Sequence, residues 1–277
     1  MKKKLPTILL FVVLLIGLSL LLYPTFSDWW NSFHQSQAVT SYVEQVANID
    51  NNEYEKIWNE AWEYNQSLLK RPNSYLLDEE QRREYDSLLN IGSNGIMGYI
   101  EVPKIGVTLP IYHGTAEAVL QVAIGHLEWT SLPVGGESSH CVVSGHRGLP
   151  SAKLFTDLDK MEIGDTFLLY VLDEVMTYEV DQIRIVEPHV TKDLLIVEGE
   201  DLCTLVTCTP YGINSHRILV RGHRVETAAA EKVIRVTADA VLIDPIFIAP
   251  LIAAPIFLVL LIGLFIPKKK KKPEDDA

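Results

Sequence analysis

The sequence predicts a mostly β protein: a closed or nearly closed β-barrel with an N-terminal helical extension and two flanking transmembrane helices. Short runs rich in Val, Ile, Tyr and Leu alternate with Gly, Pro and Asp turns from about residue 96 onward, which favours a barrel. Apolar residues recur at three- and four-residue steps over residues 36–71, which is typical of helices. Long apolar stretches lie near both ends of the chain, each beside a lysine cluster.

The first apolar stretch, residues 5–24, follows a basic tail at residues 1–4 and is long enough to cross a bilayer core of about 30 Å. A cleaved signal peptide is the alternative. No small-x-small cleavage pattern follows closely, and Trp29 and Trp30 have the character of interfacial anchors. A retained transmembrane helix is therefore the favoured interpretation.

The second apolar stretch, residues 246–266, precedes a basic tail at residues 267–277 that contains five consecutive lysines. A sorting signal is the alternative, but no LPxTG-like pentapeptide precedes this stretch. Because basic residues favour the cytoplasmic side, two anchors predict a two-pass protein of the cell membrane with both termini cytoplasmic. The region between the anchors is then extracellular.

This extracellular region divides into a helical extension at residues 25–95, a barrel at residues 96–226 and a linker at residues 227–245. Within the extension, Asp50-Asn51-Asn52 is expected to break or cap the helices, and residues 78–89 could add a short charged helix. The predicted strands cover residues 96–102, 107–112, 140–145, 166–172, 176–186, 201–208 and 217–224.

The charge distribution excludes nucleic acid as a partner. Eight of the 24 basic residues lie in the two lysine clusters, and four of the 36 acidic residues follow position 240. Between positions 25 and 240, 16 basic residues therefore stand against 32 acidic ones. A surface of this kind repels phosphate backbones.

Three cysteines are too few for a fold built on disulfides, and their odd number leaves at least one thiol free or paired outside the chain. Cys208 ends an apolar strand, just before Thr209 and Pro210. A residue at such a position is held on rigid backbone and faces open space, which suits a nucleophile. The alternative is an inert core thiol, for which the mid-strand Cys203 is the more natural example.

A catalytic thiol needs a base or a cationic neighbour, because its ordinary pKa lies near 8.5. His146 is the leading candidate, since it follows an apolar strand and stands in Ser144-Gly145-His146-Arg147-Gly148, where glycines allow close backbone approach. Arg217 begins the strand after Cys208, where its guanidinium could stabilise an oxyanion. The alternative for Arg217 is a surface arginine in an acidic domain.

Several motifs resemble the sortase family in the right order, from about Gly98 to Arg224. They are GYIEVPKIGVTLPIYHGT at 98–115, SGHRG at 144–148, GLPSAKLFTDLDK at 148–160 and TLVTCTPYGINSHR at 204–217. The combination with a helical extension and a C-terminal apolar stretch is similar to class C, the pilus-assembling sortases. This resemblance implies a closed eight-stranded sortase-like β-barrel.

The resemblance also implies an activity: Cys208 matches the catalytic cysteine, His146 the histidine and Arg217 the arginine. Such enzymes cleave an LPxTG-like sorting signal between Thr and Gly, hold the acyl group as a thioester, and in class C transfer it to a lysine amine of a pilin subunit. The implied partners are LPxTG-bearing pilins and the cell membrane, and no metal or organic cofactor is implied. The alternatives are a sortase that anchors single proteins to peptidoglycan and a non-catalytic pilus-associated scaffold. A general cysteine hydrolase is disfavoured, since neither CGSCW nor QACRG occurs.

Two further expectations follow from the resemblance. Many class C enzymes carry a lid with an Asp-Pro-aromatic motif, but the corresponding residues 86–95 lack that triplet and contain two glycines, so we expect a flexible, poorly guarding loop. Cys141 and Cys203 stand five residues before His146 and Cys208 on strands that are parallel neighbours in the sortase barrel. We expect them side by side and facing the core, as touching free thiols or, alternatively, as a disulfide.

Overall fold

The structure, a computed structural model, describes residues 5–71 and 76–227. The predicted C-terminal span at 246–266, the two basic tails and the linker beyond residue 227 lie outside the described residues. The domain boundaries proposed from the sequence stay predictions.

The N-terminal apolar stretch belongs to one long helix, α1, at Leu5–Ala47. Within the described part of the chain it is the one helix long and apolar enough to cross a membrane, with a mean hydropathy of 2.2 in its most apolar window. The sequence suggested a span that ends at residue 24 and a second helical stretch from residue 36. Instead, the helix continues through Pro24, which removes a single backbone donor, and no glycine interrupts residues 25–47.

Two shorter helices complete the extension: α2 at Asn51–Leu68 and α3 at Glu79–Ser87. The break expected at Asp50 is present, because the Asp50 carboxylate caps α2 by accepting from the Glu53 amide at 2.9 Å. Asp78 and Gln81 form a reciprocal capping box at the start of α3.

A closed eight-stranded barrel follows, which confirms the predicted barrel. Its strands are β1 (Ile96–Val102), β2 (Val107–His113), β3 (Ile124–His126), β4 (Ser139–Ser144), β5 (Thr166–Val171), β6 (Glu174–Val186), β7 (Asp201–Thr209) and β8 (His216–Val225), with a one-turn helix, α4 (Glu117–Leu120), between β2 and β3. The strand order around the barrel is β1-β2-β3-β4-β7-β8-β6-β5. Sequence patterns missed β3, because three residues are too few to show alternation.

Successive residues of β7 point alternately into and out of the barrel. Cys203 and Leu205 join the main core, whereas Val206 belongs to a separate apolar cluster on the outer face, with Val142, Val186, Leu194 and Leu219. This alternation decides which cysteine can meet a substrate, because Cys208 follows Val206 by two residues and therefore lies on the outer face.

Candidate active site

The candidate site lies where two parallel strands end side by side. Strands β4 and β7 pair in one continuous register, from Ser139 opposite Asp201 to Ser144 opposite Val206. The same spacing of 62 positions continues past the last ladder pair, because two side-chain hydrogen bonds join residues at that spacing.

Those bonds fix the position of His146 beside Cys208. The Thr207 hydroxyl donates to the carbonyl of Gly145 at 2.6 Å, and the Arg147 guanidinium donates to the Thr209 hydroxyl at 3.1 Å. His146 lies between Gly145 and Arg147, just as Cys208 lies between Thr207 and Thr209. The histidine therefore occupies the position on the β4 side that corresponds to Cys208.

Arg217 stands on the other side of the cysteine. In the antiparallel pairing of β7 with β8, Cys208 lies directly opposite Arg217, so their side chains project from the same face. The Arg217 guanidinium donates only locally, to the carbonyls of Asn214 (3.2 Å) and His216 (3.0 Å). Among the described residues no carboxylate forms an ion pair with it, so this cation has donor capacity left for a substrate oxygen.

Both candidate reactive groups are reachable from solvent. Cys208 is half-buried, and the His146 side chain is 27% exposed. By contrast, Cys141 and Cys203 are buried in the core, opposite each other on β4 and β7. The structure has both as free thiols, which agrees with the favoured interpretation over the disulfide.

The loop that carries His146 is held tightly by its glycines and by its own closure. A side chain at Gly145 would meet the Phe155 ring at 2.9 Å and Ile124 at 2.8 Å. Gly148 has a φ of +77° and lies beneath the Tyr211 ring, where a side chain would also clash. The Phe155 amide donates back to the His146 carbonyl at 3.2 Å, which closes the loop. The imidazole is therefore presented on an ordered backbone.

Sequence reasoning missed three residues around the candidate triad. Thr207 and Arg147 tie the ends of β4 and β7 together, and Arg147 also pairs with Asp159 at 2.5 Å. Thr207 lies 62 positions after Gly145, and Thr209 lies 62 positions after Arg147. Once the two strands are aligned, this equal spacing predicts both contacts. Glu117 approaches His146 Nε2 to 3.7 Å from α4, and nothing in the sequence pointed to this contact.

Two other histidines, the buried His140 and the half-buried His113, have structural surroundings. His140 is hydrogen-bonded to the Thr204 hydroxyl (2.7 Å) and to the Leu195 carbonyl, and burial lowers its pKa to about 4. Burial also lowers the pKa of His113, whose ring contacts the carbonyls of Gly95 and Leu88. These rings are expected to stay neutral at pH 7.

The lid-like residues 86–95 do not form the open loop that the sequence suggested. Leu88 and Leu89 are buried in the main core, and the Leu88 carbonyl is hydrogen-bonded to His113. Burial of Leu88 and Leu89 stabilises the start of this segment against the barrel, and this stabilisation exceeds the flexibility that the two glycines add. No hydrogen bond or ion pair among the described residues joins this segment to the candidate triad, and a poorly guarded cysteine stays a prediction.

No group of His, Cys, Asp and Glu side chains suited to a metal ion occurs in the described part of the chain. The absence of a cofactor from the chemistry stays a prediction.

The family model of the sortase domain matches residues 100–225. The chain belongs to the sortase family, whose members are cysteine transpeptidases.

Particular relatives sharpen this assignment. A solved structure of sortase C1 from Streptococcus agalactiae is 52% identical, with a TM-score of 0.68, and the match covers 69% of this chain and all of that one. Sortase C from Streptococcus pneumoniae is 45% identical, with a TM-score of 0.62, over 70% of this chain and 98% of that one. Sortase D of Bacillus subtilis is 30% identical over 131 residues, 46% of this chain, and the chain spans 63% of that relative's length. The two solved streptococcal structures are class C sortases.

Proposed function

We propose that the chain is a membrane-anchored transpeptidase that polymerises pilin subunits, with Cys208 as nucleophile, His146 as acid and base, and Arg217 as oxyanion partner. The observation that carries this proposal is the shared register of three strands. It sets an imidazole on one side of an outward-facing thiol and, on the other, a guanidinium that has no ion-pair partner among the described residues. That arrangement is what acyl transfer through a thioester requires.

The first half of the reaction forms the acyl-enzyme. The Cys208 thiolate attacks the Thr carbonyl carbon of an LPxTG-like signal, and the carbonyl electrons move onto oxygen, where Arg217 donates hydrogen bonds. As the carbonyl re-forms, the bond between the Thr carbon and the Gly nitrogen breaks. The protonated His146 gives its proton to the departing amine, which leaves a thioester and a neutral imidazole.

The second half reverses these roles. A lysine amine of another pilin attacks the thioester carbon, His146 takes the proton, and the bond from carbon to the Cys208 sulfur breaks. One amide bond is lost and one is formed, so no redox partner or metal is required. The extracellular position that this chemistry needs follows from the proposed two-pass topology.

Relatives support pilins as the substrate over a single-protein anchoring role. The solved structure of the Streptococcus pneumoniae sortase C bears on pilin substrate specificity. A second solved structure with 42% identity is a sortase C1 of a pilus island. Peptidoglycan anchoring is the second candidate, because the same acyl-enzyme can be resolved by a different amine.

The full chain in detergent, incubated with purified LPxTG-bearing pilins, tests the proposal. We expect covalent pilin ladders that disappear in Cys208→Ala. Cys203→Ala is the matched control, since it removes an inward-facing thiol of the same strand, and it should keep the ladder. Cysteine-dependent cleavage without a ladder would favour anchoring, and a ladder that survives Cys208→Ala would overturn the assigned nucleophile.

A further inference from the structure

Helix α1 runs along the side of the barrel in a defined direction. Near its apolar half, Asn31 donates to the Ser151 carbonyl at 2.7 Å, and Asp28 accepts from the Lys153 amide at 2.6 Å. Farther along, the Tyr42 hydroxyl donates to the Met97 carbonyl at the start of β1. The helix therefore leaves the apolar stretch at the end of the barrel that carries the candidate site.

We call this end the site end. It comprises residues 103–106, 145–165 and 210–215, together with the last part of the connection before β3 and the first residues after β6, at the edge where β4 and β7 finish. The loop bound by Asp28 and Asn31 is the same loop that begins with His146. Asp28 stands four residues past the predicted span, about 6 Å along a helix axis.

Aromatic residues mark the level at which this contact occurs. Phe26, Trp29, Trp30 and Phe33 are exposed on α1, and they alternate in sequence with the two residues that hold the loop. Trp and similar rings concentrate at the boundary between lipid and water. When these four aromatic side chains lie at the boundary between lipid and water, the loop after His146 lies at the same depth in the membrane.

A second apolar group lies at the site end, in the connection between β7 and β8. Tyr211 is 61% exposed and Ile213 is 71% exposed in the connection between β7 and β8. Tyr211 also lies against Gly148, so this connection and the His146 loop share one surface. An exposed aromatic and an exposed aliphatic side chain at a loop tip suit shallow insertion among lipid headgroups.

Charge favours the same face. The site end carries five basic and six acidic residues: Lys104, Arg147, Lys153, Lys160 and Arg217 against Glu117, Asp157, Asp159, Glu162, Asp165 and Glu187. The segment of α2 and α3, residues 51–87, holds nine acidic and five basic residues. Anionic lipids repel the acidic extension more than the site end, which has a net charge near −1, and this difference favours an orientation with the site toward the membrane.

We infer that the site end of the barrel rests on the outer surface of the membrane, with Tyr211 and Ile213 as a second lipid contact beside α1. The partner is the lipid bilayer itself, and the inference concerns position, so it holds whichever amine resolves the acyl-enzyme. An active site at this height would meet cleavage sites held close to the membrane and would miss those far from it.

Fluorescence quenching measures this position directly. The full chain carrying Cys208→Ala takes one NBD label at Ile213→Cys and, in a separate protein, at Val197→Cys. Val197 is the matched control, because it is an aliphatic residue, 44% exposed, in the connection before β7 at the opposite end of the barrel. Each protein enters vesicles of phosphatidylcholine and phosphatidylglycerol that contain a nitroxide-labelled lipid near the headgroup.

We expect several-fold stronger quenching at position 213 than at position 197, and a loss of that difference when Tyr211→Ser is added. Equal quenching at both positions, whether strong or absent, would overturn the inference. Thermal unfolding of each labelled protein checks that the barrel is intact. No turnover is measured, so the result is independent of the pilin experiment.

Discussion

A histidine and a cysteine occur near each end of the paired strands β4 and β7, and the two ends differ in how far these side chains are exposed to solvent. At the start of the pair, His140 and Cys141 are buried, and each contacts a residue of β7 or its preceding loop. At the finish, His146 and Cys208 are partly exposed on the outer face. A histidine next to a cysteine therefore does not define a site by itself; access and orientation do.

The difference arises from strand parity and from what covers the outer face. Cys203 points inward, and five residues later Cys208 points outward. Over most of β7 the outer face is covered by apolar residues such as Leu194 of the preceding loop, but that cover does not reach the last residues of the strand. The paired strands β4 and β7 therefore bury two thiols, Cys141 and Cys203, and expose a third, Cys208.

Alkylation should separate the two classes of thiol by the largest factor. We expect a charged thiol reagent to modify Cys208 in the native chain, whereas Cys141 and Cys203 react only after global opening, at least about 10³-fold more slowly. Intact-mass measurement should show one added group under native conditions and three in denaturant.

Cys208→Ala supplies the control, because it should leave the folded protein unmodified. A second rapid modification in the native state would break the comparison, since it would make the inner pair accessible.

Two arginines on β8 test whether the outer face acts chemically or only structurally. Arg217→Lys keeps the charge but loses the planar fork, so we expect turnover to fall about 10²-fold with little change in thermal stability. Arg221→Lys removes a two-point pair with Asp181, at 3.0 and 2.7 Å, and should lower stability by up to about 1 kcal/mol with turnover retained.

Rates of thioester formation and melting temperatures, measured on both variants, check this prediction. Equal turnover losses in the two proteins would mean that Arg217 contributes through the fold, which would remove it from the proposed mechanism.

The barrel was predictable because alternation and turns mark most of its strands. Seven of the eight strands stood out in the sequence, and the closed eight-stranded form came with the family resemblance. The missing strand, Ile124–His126, is defined by its neighbours β2 and β4 and has no period of its own. For residues 86–95 the glycines suggested an open loop, but Leu88 and Leu89 are buried in the main core.

The candidate triad was predictable because each member lies at a strand end beside glycine, proline or a turn. Its supporting contacts were not. Thr207 and Arg147 act through partners 62 positions away, and such contacts appear only when the strand register is known. Glu117 reaches His146 from a one-turn helix with no distinguishing pattern. The contact of Asp28 with the loop after His146 spans 125 positions and likewise depends on tertiary packing.

The histidine at the buried end of β4 provides the smallest and most specific test. Burial lowers the pKa of His140 to about 4, against a weak opposing effect of the Leu195 carbonyl, while an unfolded histidine titrates near 6.5. The unfolded state therefore binds a proton first as the pH falls. Stability that His140 contributes above pH 6.5 is lost as the pH drops toward 4, by about 2 kcal/mol between pH 7 and pH 5.

His140→Gln should be less stable than the parent chain at pH 7, because it loses well-placed hydrogen bonds to Thr204 and Leu195. It should also lose this part of the pH dependence, so the two unfolding free energies converge as the pH falls to 5. Denaturant unfolding at pH 7, 6 and 5 measures both curves. Parallel curves would show that His140 does not carry the proton linkage.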